Sequence, residues 1–486
     1  MELEKRTFAD WLNENKVVVL FVILCVLAIY ASGYSLSFVG AELFTRIGRN
    51  GFTVLSLLIP VLAGMGLNFG ITIGAIAAQI AVFWVVYWGF EGIQGFLICV
   101  LLSTPIAMLF GFLVGKLFNK MKGSEMIAGM VLGYFADGLY QFFFLFVIGG
   151  VIPVVSETLL IAGNVGVKNT IDLAGNLKYA LDTVSMLQLV DVFLVVSIIL
   201  LGIKLLFKYV RKINVDIKKN IVFVALAIVL FGLSYVGPIT RFLAQDRLLL
   251  RHALYIMTVI IIAVQVQKIV INKHIKKDEA FNLTGAIFPI ILMLVLNILQ
   301  FIPQVSQLLD FVRIPVTTYL LIALLCLFNN ALLNTVLGQN MRTVGQSRVV
   351  ANSAGIDVDK TRVIAMIFST VLACWGQLIY LQNIGTFSTY GAHTQVGQFA
   401  IAALLVGGAS VQKATNKQAI IGVILFHTLF IVAPQAGKNL FDNAQLGEYF
   451  RVFVAYGVIA VSLAMHAWNV VKKPKEEKLE PVKTSD

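Results

Sequence analysis

Long apolar runs, separated by short polar or charged breaks, fill this chain from Val17 almost to its end. A bilayer core about 30 Å thick takes roughly 20 mainly apolar residues per helix, and the runs suit that length. Fourteen of them, bounded by charge, Gly or Pro, lie at 17–33, 52–66, 71–88, 94–114, 126–150, 189–208, 221–236, 253–271, 284–302, 316–337, 363–381, 396–411, 418–434 and 448–470. Several are shorter than a full span, so the pattern predicts an all-α, polytopic transmembrane helix bundle of about 14 spans, 12 at the least. The expected divisions are a cytoplasmic N-terminus at 1–16, an N-terminal transmembrane region at 17–150, and an atypical inserted transmembrane region with a long outer loop at 151–310. A C-terminal transmembrane region at 311–471, holding a polar cytoplasmic loop at 340–362, and a cytoplasmic tail at 472–486 complete the chain.

Composition closes off the soluble alternatives. Hydrophobic residues make up 59% of the chain and charged ones 13%, with a mean hydropathy of +0.89, far from the usual values for soluble domains. The net charge of +12 could suggest nucleic acid, but the basic residues are split among short loops and form no single stripe. The tendency of cytoplasmic loops to retain Lys and Arg accounts for them better. It places both termini inside, together with Lys116, Lys120, Lys122, the runs Lys204 to Lys219 and Lys268 to Lys277, Arg342 to Arg362, Lys413, Lys417 and the tail from Lys472. Arg241, Arg247 and Arg251 then crowd the seventh and eighth runs from outside, which makes that part of the count the weakest. The first run lacks a small-residue cleavage site and is expected to stay as a helix.

No catalytic pattern is present. HExxH, GxSxG and paired-Cys spacings are absent, and Gly115-Lys116 lacks the rest of a phosphate-binding loop. Cys25, Cys99, Cys326 and Cys374 all lie in apolar runs without metal or redox spacing, as small core residues do. Neither a metal nor a cofactor is expected in this chain, and ATP, if used, would be bound by another polypeptide.

Polar residues inside the runs are the main chemical clues, because an ionisable or amide group in hydrocarbon is costly unless it meets partners or water. Asp137 lies midway through the fifth run, with Gln141 one helical turn on and on the same face. The pair either bonds between helices or lines a path. Asn68 sits between glycines in GLNFG, where an unwound backbone could approach a solute or let helices pack closely. Asn329, Asn330 and Asn334 cluster near the inner half of the tenth run, and amides often bridge helices. Gln395 and Gln398 begin the twelfth run near His393, where a solute would enter. The loop NMRTVGQSRVVANSAGIDVDKTR, 340–362, is polar, helix-capable and interrupted at Gly355. It reads either as an ordinary connection or as a short helix parallel to the membrane that docks on a motor protein, with Ala351, Ser353, Ala354 and Gly355 small enough for close approach.

Three segments carry a family resemblance. VGQSRVVANSAGIDVDKTRVIAMIFSTVLACWGQLIYLQ, FAIAALLVGGASV and, more loosely, GMGLNFGITIGAIAAQ resemble the permease subunits of bacterial ABC importers for ribose, other simple sugars and nucleosides, a family akin to branched-chain amino acid permeases. The resemblance implies a bacterial cytoplasmic membrane, a second permease subunit, identical or related, a cytoplasmic ABC ATPase and an extracytoplasmic solute-binding protein. It also implies that the stretch with Arg342, Gln346, Arg348, Ala351, Ala354 and Gly355 transmits ATP-driven movement. Two departures stand out: ASVQKATNK follows Gly408 where the family continues with glycines, and the stretch 157–304 matches nothing in the pattern. An ion-coupled secondary transporter or a lipid-linked-sugar flippase is the competing expectation, with a non-transporting scaffold behind both. Amides with few charges suit a neutral solute, a simple sugar or nucleoside ahead of a branched-chain amino acid.

Overall fold

The computed structural model describes residues 15–209 except 164, then 217–275, 283–453 except 444, and a few positions up to 464. The segment 1–14, the basic residues within 210–216 and 276–282, much of the run 448–470 and the tail 472–486 lie outside the described residues.

Helices dominate. The N-terminal part holds α1 (Lys16–Ser32), α2 (Leu36–Ser56), α3 (Leu58–Leu62), α4 (Ile71–Tyr87), α5 (Gly92–Lys120) and α6 (Glu125–Phe142), the last prolonged by a π turn at Phe143–Val147. Next come strand β1 (Thr170–Asp172), α7 (Met186–Tyr209), α8 (Lys218–Leu233), α9 (Gly237–Leu243), β2 (Arg247–Leu249), α10 (Leu250–Ile269), α11 (Leu283–Leu299), α12 (Pro303–Phe311) and β3 (Arg313–Pro315). The C-terminal part holds α13 (Val316–Leu333), α14 (Val336–Gln346), α15 (Arg348–Ser353), α16 (Val358–Ile384), β4 (Thr386–Ser388), α17 (Ala392–Val406) and α18 (Asn416–Phe441). Among the described residues, seven helices are long and apolar enough to cross a membrane, and nine do so if the bent pairs α8 with α9, at 106°, and α11 with α12, at 98°, each make one span. The apolar helices α1, α4 and α17 are shorter. This is a multi-pass helical membrane fold.

One sequence run is corrected outright. Residues 52–66 are not a single span: α2 starts at Leu36 and ends at Ser56, five residues of α3 follow, and the backbone is irregular from Ala63 to Gly70. Polar positions such as Glu42, Arg46 and Arg49 had hidden all but the last turn of α2, and Gly64 and Gly66, both at φ +70°, end the helix where the hydropathy continues.

Burial separates a core from a periphery. In α16 and α18, 67% of the most apolar stretch is buried, against 6% in α7 and α10. Apolar on every side, α4 lies inside, as such a helix must, packed against α5, α6, α16 and α17. α7 pairs with α8 and α10 with α11, as outer hairpins whose exposed Val, Ile and Leu side chains suit lipid. β2 and β3 pair antiparallel, Leu248 facing Ile314, and α12 packs on α2, which fastens the hairpins to the core.

At one end of the bundle, β1 pairs with β4, Ile171 opposite Phe387, and the following segment folds over α13 and α16. Asp182, 2% exposed, accepts hydrogen bonds from Thr318 Oγ1 at 2.6 Å, Asn383 Nδ2 at 3.0 Å and Gln382 Nε2 at 3.1 Å. One buried carboxylate thereby pins the loop to two helices. At the other end the Gly407-Gly408 turn closes without further glycines: Gln418 Nε2 donates to Gly408 O at 2.7 Å, and Thr415 caps α18 by accepting from the Gln418 backbone N–H.

Candidate functional site

Three N-caps organise the polar stretch. Thr335, Ser347 and Asp357 accept from the backbone N–H groups of Gly338, Val350 and Lys360, so helices α14, α15 and α16 start in succession. Gly355 has φ +77° and turns the chain between α15 and α16. Arg342, Gln346, Ala354 and Gly355 are exposed. Ala351 is not: it is fully buried with Val344 and Val358, so it cannot serve as a small contact surface for a partner. The residues that project are Val349 and Val350, 75% and 58% exposed.

This stretch sits directly on the irregular segment after α3. A Cβ on Gly64 would come within 2.8 Å of Gly345 Cα, and one on Gly345 would overlap Leu62 O. Two backbones therefore touch where no side chain fits. Gly345→Val is expected to cost about 1 to 3 kcal/mol through overpacking, read as a lower thermal midpoint in detergent; an unchanged midpoint would show that the two segments do not pack this way.

Beside that contact Glu125 gathers the charges. Its Oε1 accepts from Arg348 Nη2 at 2.6 Å and from Arg362 Nη2, and its Oε2 accepts from Gly123 N at 2.8 Å. Arg348 also donates to Gly64 O at 3.4 Å. Arg362 is completely buried, a position in which a guanidinium requires a carboxylate. Arg348 therefore turns inward. An open cavity of about 660 Å³ adjoins the cluster, lined by Gly64, Gly66, Glu125, Met130, Arg348 and Val411. Sequence reasoning missed Glu125, because an acidic residue in the first turn of a helix is ordinary. The usable signal was Arg362, one turn into an apolar helix and in need of a partner.

Among the path candidates, the structure joins two runs that are far apart in sequence. Asp137 Oδ1 lies 2.6 Å from His393 Nε2, and Gln141 Nε2 donates to Asp137 Oδ2 at 3.0 Å. His393 is fully buried, whereas Asp137 keeps 21% of its side chain exposed. The Tyr140 ring meets the His393 ring edge-on at 5.1 Å. On α17, Gln395 is exposed, and Gln398 Oε1 accepts from Tyr456 at 3.1 Å. Asn68 is buried; its Nδ2 reaches Ser369 Oγ at 3.4 Å, and its Oδ1 has no hydrogen-bond partner among the described residues. Asn330 Oδ1 accepts from Asn416 Nδ2 at 3.1 Å, and Asn329 donates to Leu55 O at 3.3 Å, so these amides join α13 to α18 and α2. No group of three or more His, Cys, Asp or Glu side chains close enough for a metal occurs among the described residues.

A helical bundle with several helices long and apolar enough to cross a membrane, buried polar side chains between them and a capped polar helix pair at one end defines a multi-pass helical membrane protein. A family model described as branched-chain amino acid transport system / permease component matches residues 185–463, more than half of the sequence. The chain belongs to this family, the permeases of ABC importers for branched-chain amino acids and simple sugars. The match takes in α7 to α12 and so most of the stretch 157–304 in which the sequence showed no resemblance. No curated protein and no solved structure matches the chain.

Proposed function

We propose that this chain forms the translocation path of an ABC-type importer in a bacterial cytoplasmic membrane, taking up a small neutral solute, a simple sugar or nucleoside. A separate cytoplasmic ATPase drives it through α14 and α15, a second permease subunit completes the path, and an extracytoplasmic binding protein delivers the solute. The observation that carries this reading is α15 itself: two valines project from a six-residue helix beside exposed Arg342 and Gln346. Apolar side chains displayed on a polar end of the molecule fit a groove on another protein. Lys122 pairs with Asp359 at 2.7 Å, so the basic end of α5 lies on the same side as α15, in keeping with a cytoplasmic placement of that side.

The path follows the face shared by α6 and α17. Asp137 and Gln141 are polar groups within an apolar helix long enough to span, and Gln395 and Gln398 lie in the first turns of apolar α17; such groups belong against water or protein. Asn68 stands at the inner break. The Asp137–His393 contact occupies Asp137 Oδ1 and His393 Nε2, while His393 Nδ1 has no hydrogen-bond partner among the described residues; with the charged group tied up, the amides are the groups that suit a neutral solute, and Asn330, held by Asn416, serves helix packing. The same pair is the one observation that favours an ion-coupled transporter instead.

Affinity purification of the tagged chain from its native membrane in mild detergent tests the assignment. A cytoplasmic ATPase should co-purify, and scrambling residues 346–355 in a chain that still folds should lose it. Recovery of the chain without an ATPase contradicts the proposal.

A further inference from the structure

We infer that Glu125 is the relay through which α15 moves the membrane helices, an inference that rests on α15 being the ATPase contact. One carboxylate ties together four segments: the start of α6 that carries it, α15 through Arg348, α16 through Arg362, and the turn before α6 through Gly123 N. Arg348 adds a fifth by donating to Gly64 O in the break between α3 and α4. Charge-assisted bonds of this kind are short and directional, so a push on α15 is delivered to one point.

From that point the lever is α6. Asp137 lies twelve residues beyond Glu125 on the same helix, about 18 Å along the axis at 1.5 Å per residue, and it holds His393 of α17. Movement of α15 thus reaches the polar face of α6 and α17 through side chains already in contact. The cavity of about 660 Å³ beside Glu125 and Arg348 gives α15 space to move. Arg362, fully buried, fixes the same carboxylate oxygen to α16, so Arg348, one-third exposed, is the arm that travels.

The test places a fluorescent label on α6 at Gly138→Cys, where a side chain meets no heavy atom within 4 Å, in a chain carrying Cys326→Ser. ATP is the probe, added with vanadate to the purified complex with the ATPase. The unmodified relay should give an ATP-dependent change in label signal. In complexes of Arg348→Gln that still contain the ATPase, that change should fall about tenfold, within the usual range for coupling between sites, and Arg348→Lys should restore part of it. Should Arg348→Gln shed the ATPase, Glu125→Asp, which shortens the carboxylate's reach, is read in the same way. A full response in these variants, or none in the parent complex, overturns the relay while leaving the importer assignment standing. Failure to recover any ATPase with the parent chain overturns both.

Discussion

Glu125→Gln should destabilise the protein by about 3 to 5 kcal/mol, the range for removing one partner of a buried ion pair. The glutamine keeps the length of the side chain and an acceptor oxygen, but Arg362 is then left charged and without its hydrogen-bonded carboxylate in a site with no exposure at all. Its Nε and Nη1 already have no partner among the described residues, so no second acceptor takes over. The measurement is thermal unfolding in detergent, and the decisive companion is the double variant Glu125→Gln with Arg362→Met. Removing both charges should recover most of the loss, because the penalty comes from the stranded guanidinium and not from a missing contact. A single variant as stable as the parent would mean that water reaches Arg362 and that the cluster is not buried in the working protein.

Asp182→Ala should cost about 3 kcal/mol, since it strands the buried donors of Thr318, Gln382 and Asn383 together. The consequence is local. The segment between β1 and α7 should become open to protease, because Asp182 is its main polar attachment to α13 and α16. Asp182→Asn should fall in between: its oxygen still accepts, while its amide faces the donors of Gln382 or Asn383. Limited proteolysis of the three proteins under identical detergent conditions orders them. Equal cleavage would place the attachment in the β1–β4 pairing and the Tyr179 N–H to Gln382 O bond instead.

The membrane class and the helical bundle were legible because hydropathy is a sum over many residues and tolerates local error. The polar island at 340–362 stood out for the same reason, and Gly355 marked its interruption; the caps at Ser347 and Asp357, where α15 and α16 start, came only with the structure. Asn68 between the glycines of GLNFG likewise announced a break, although not that the helix ends before Gly64 or that α2 begins sixteen residues before the run counted for it. Helix boundaries suffered where charge and burial conflict, as at Arg49, which bonds to Asn383 Oδ1 at 2.9 Å from a helix too polar to count as a span.

Pairings across the bundle were not legible. Glu125 and Arg362 are separated by 237 positions and Asp137 and His393 by 256, and nothing in the local sequence of either member names the other. Asp137 and Gln141 were found together because they share one helix; His393, noted only as a neighbour of Gln395, turned out to be the closer partner. The inward turn of Arg348 and the burial of Ala351 were hidden for a related reason. A six-residue helix has an inner and an outer face that only the packing of α14 and α16 decides.

The central claim is that ATP hydrolysis by another subunit drives solute through this chain. Uptake by the chain in liposomes, with and without its co-purified ATPase and binding protein, tests that most directly, using ribose, uridine and leucine as solutes and ATP or an imposed proton or sodium gradient as the energy source. The account predicts uptake only in the complete complex and only with ATP inside or outside according to the ATPase orientation. Gradient-driven uptake by the chain alone would contradict it and would make the Asp137–His393 pair the site of ion coupling.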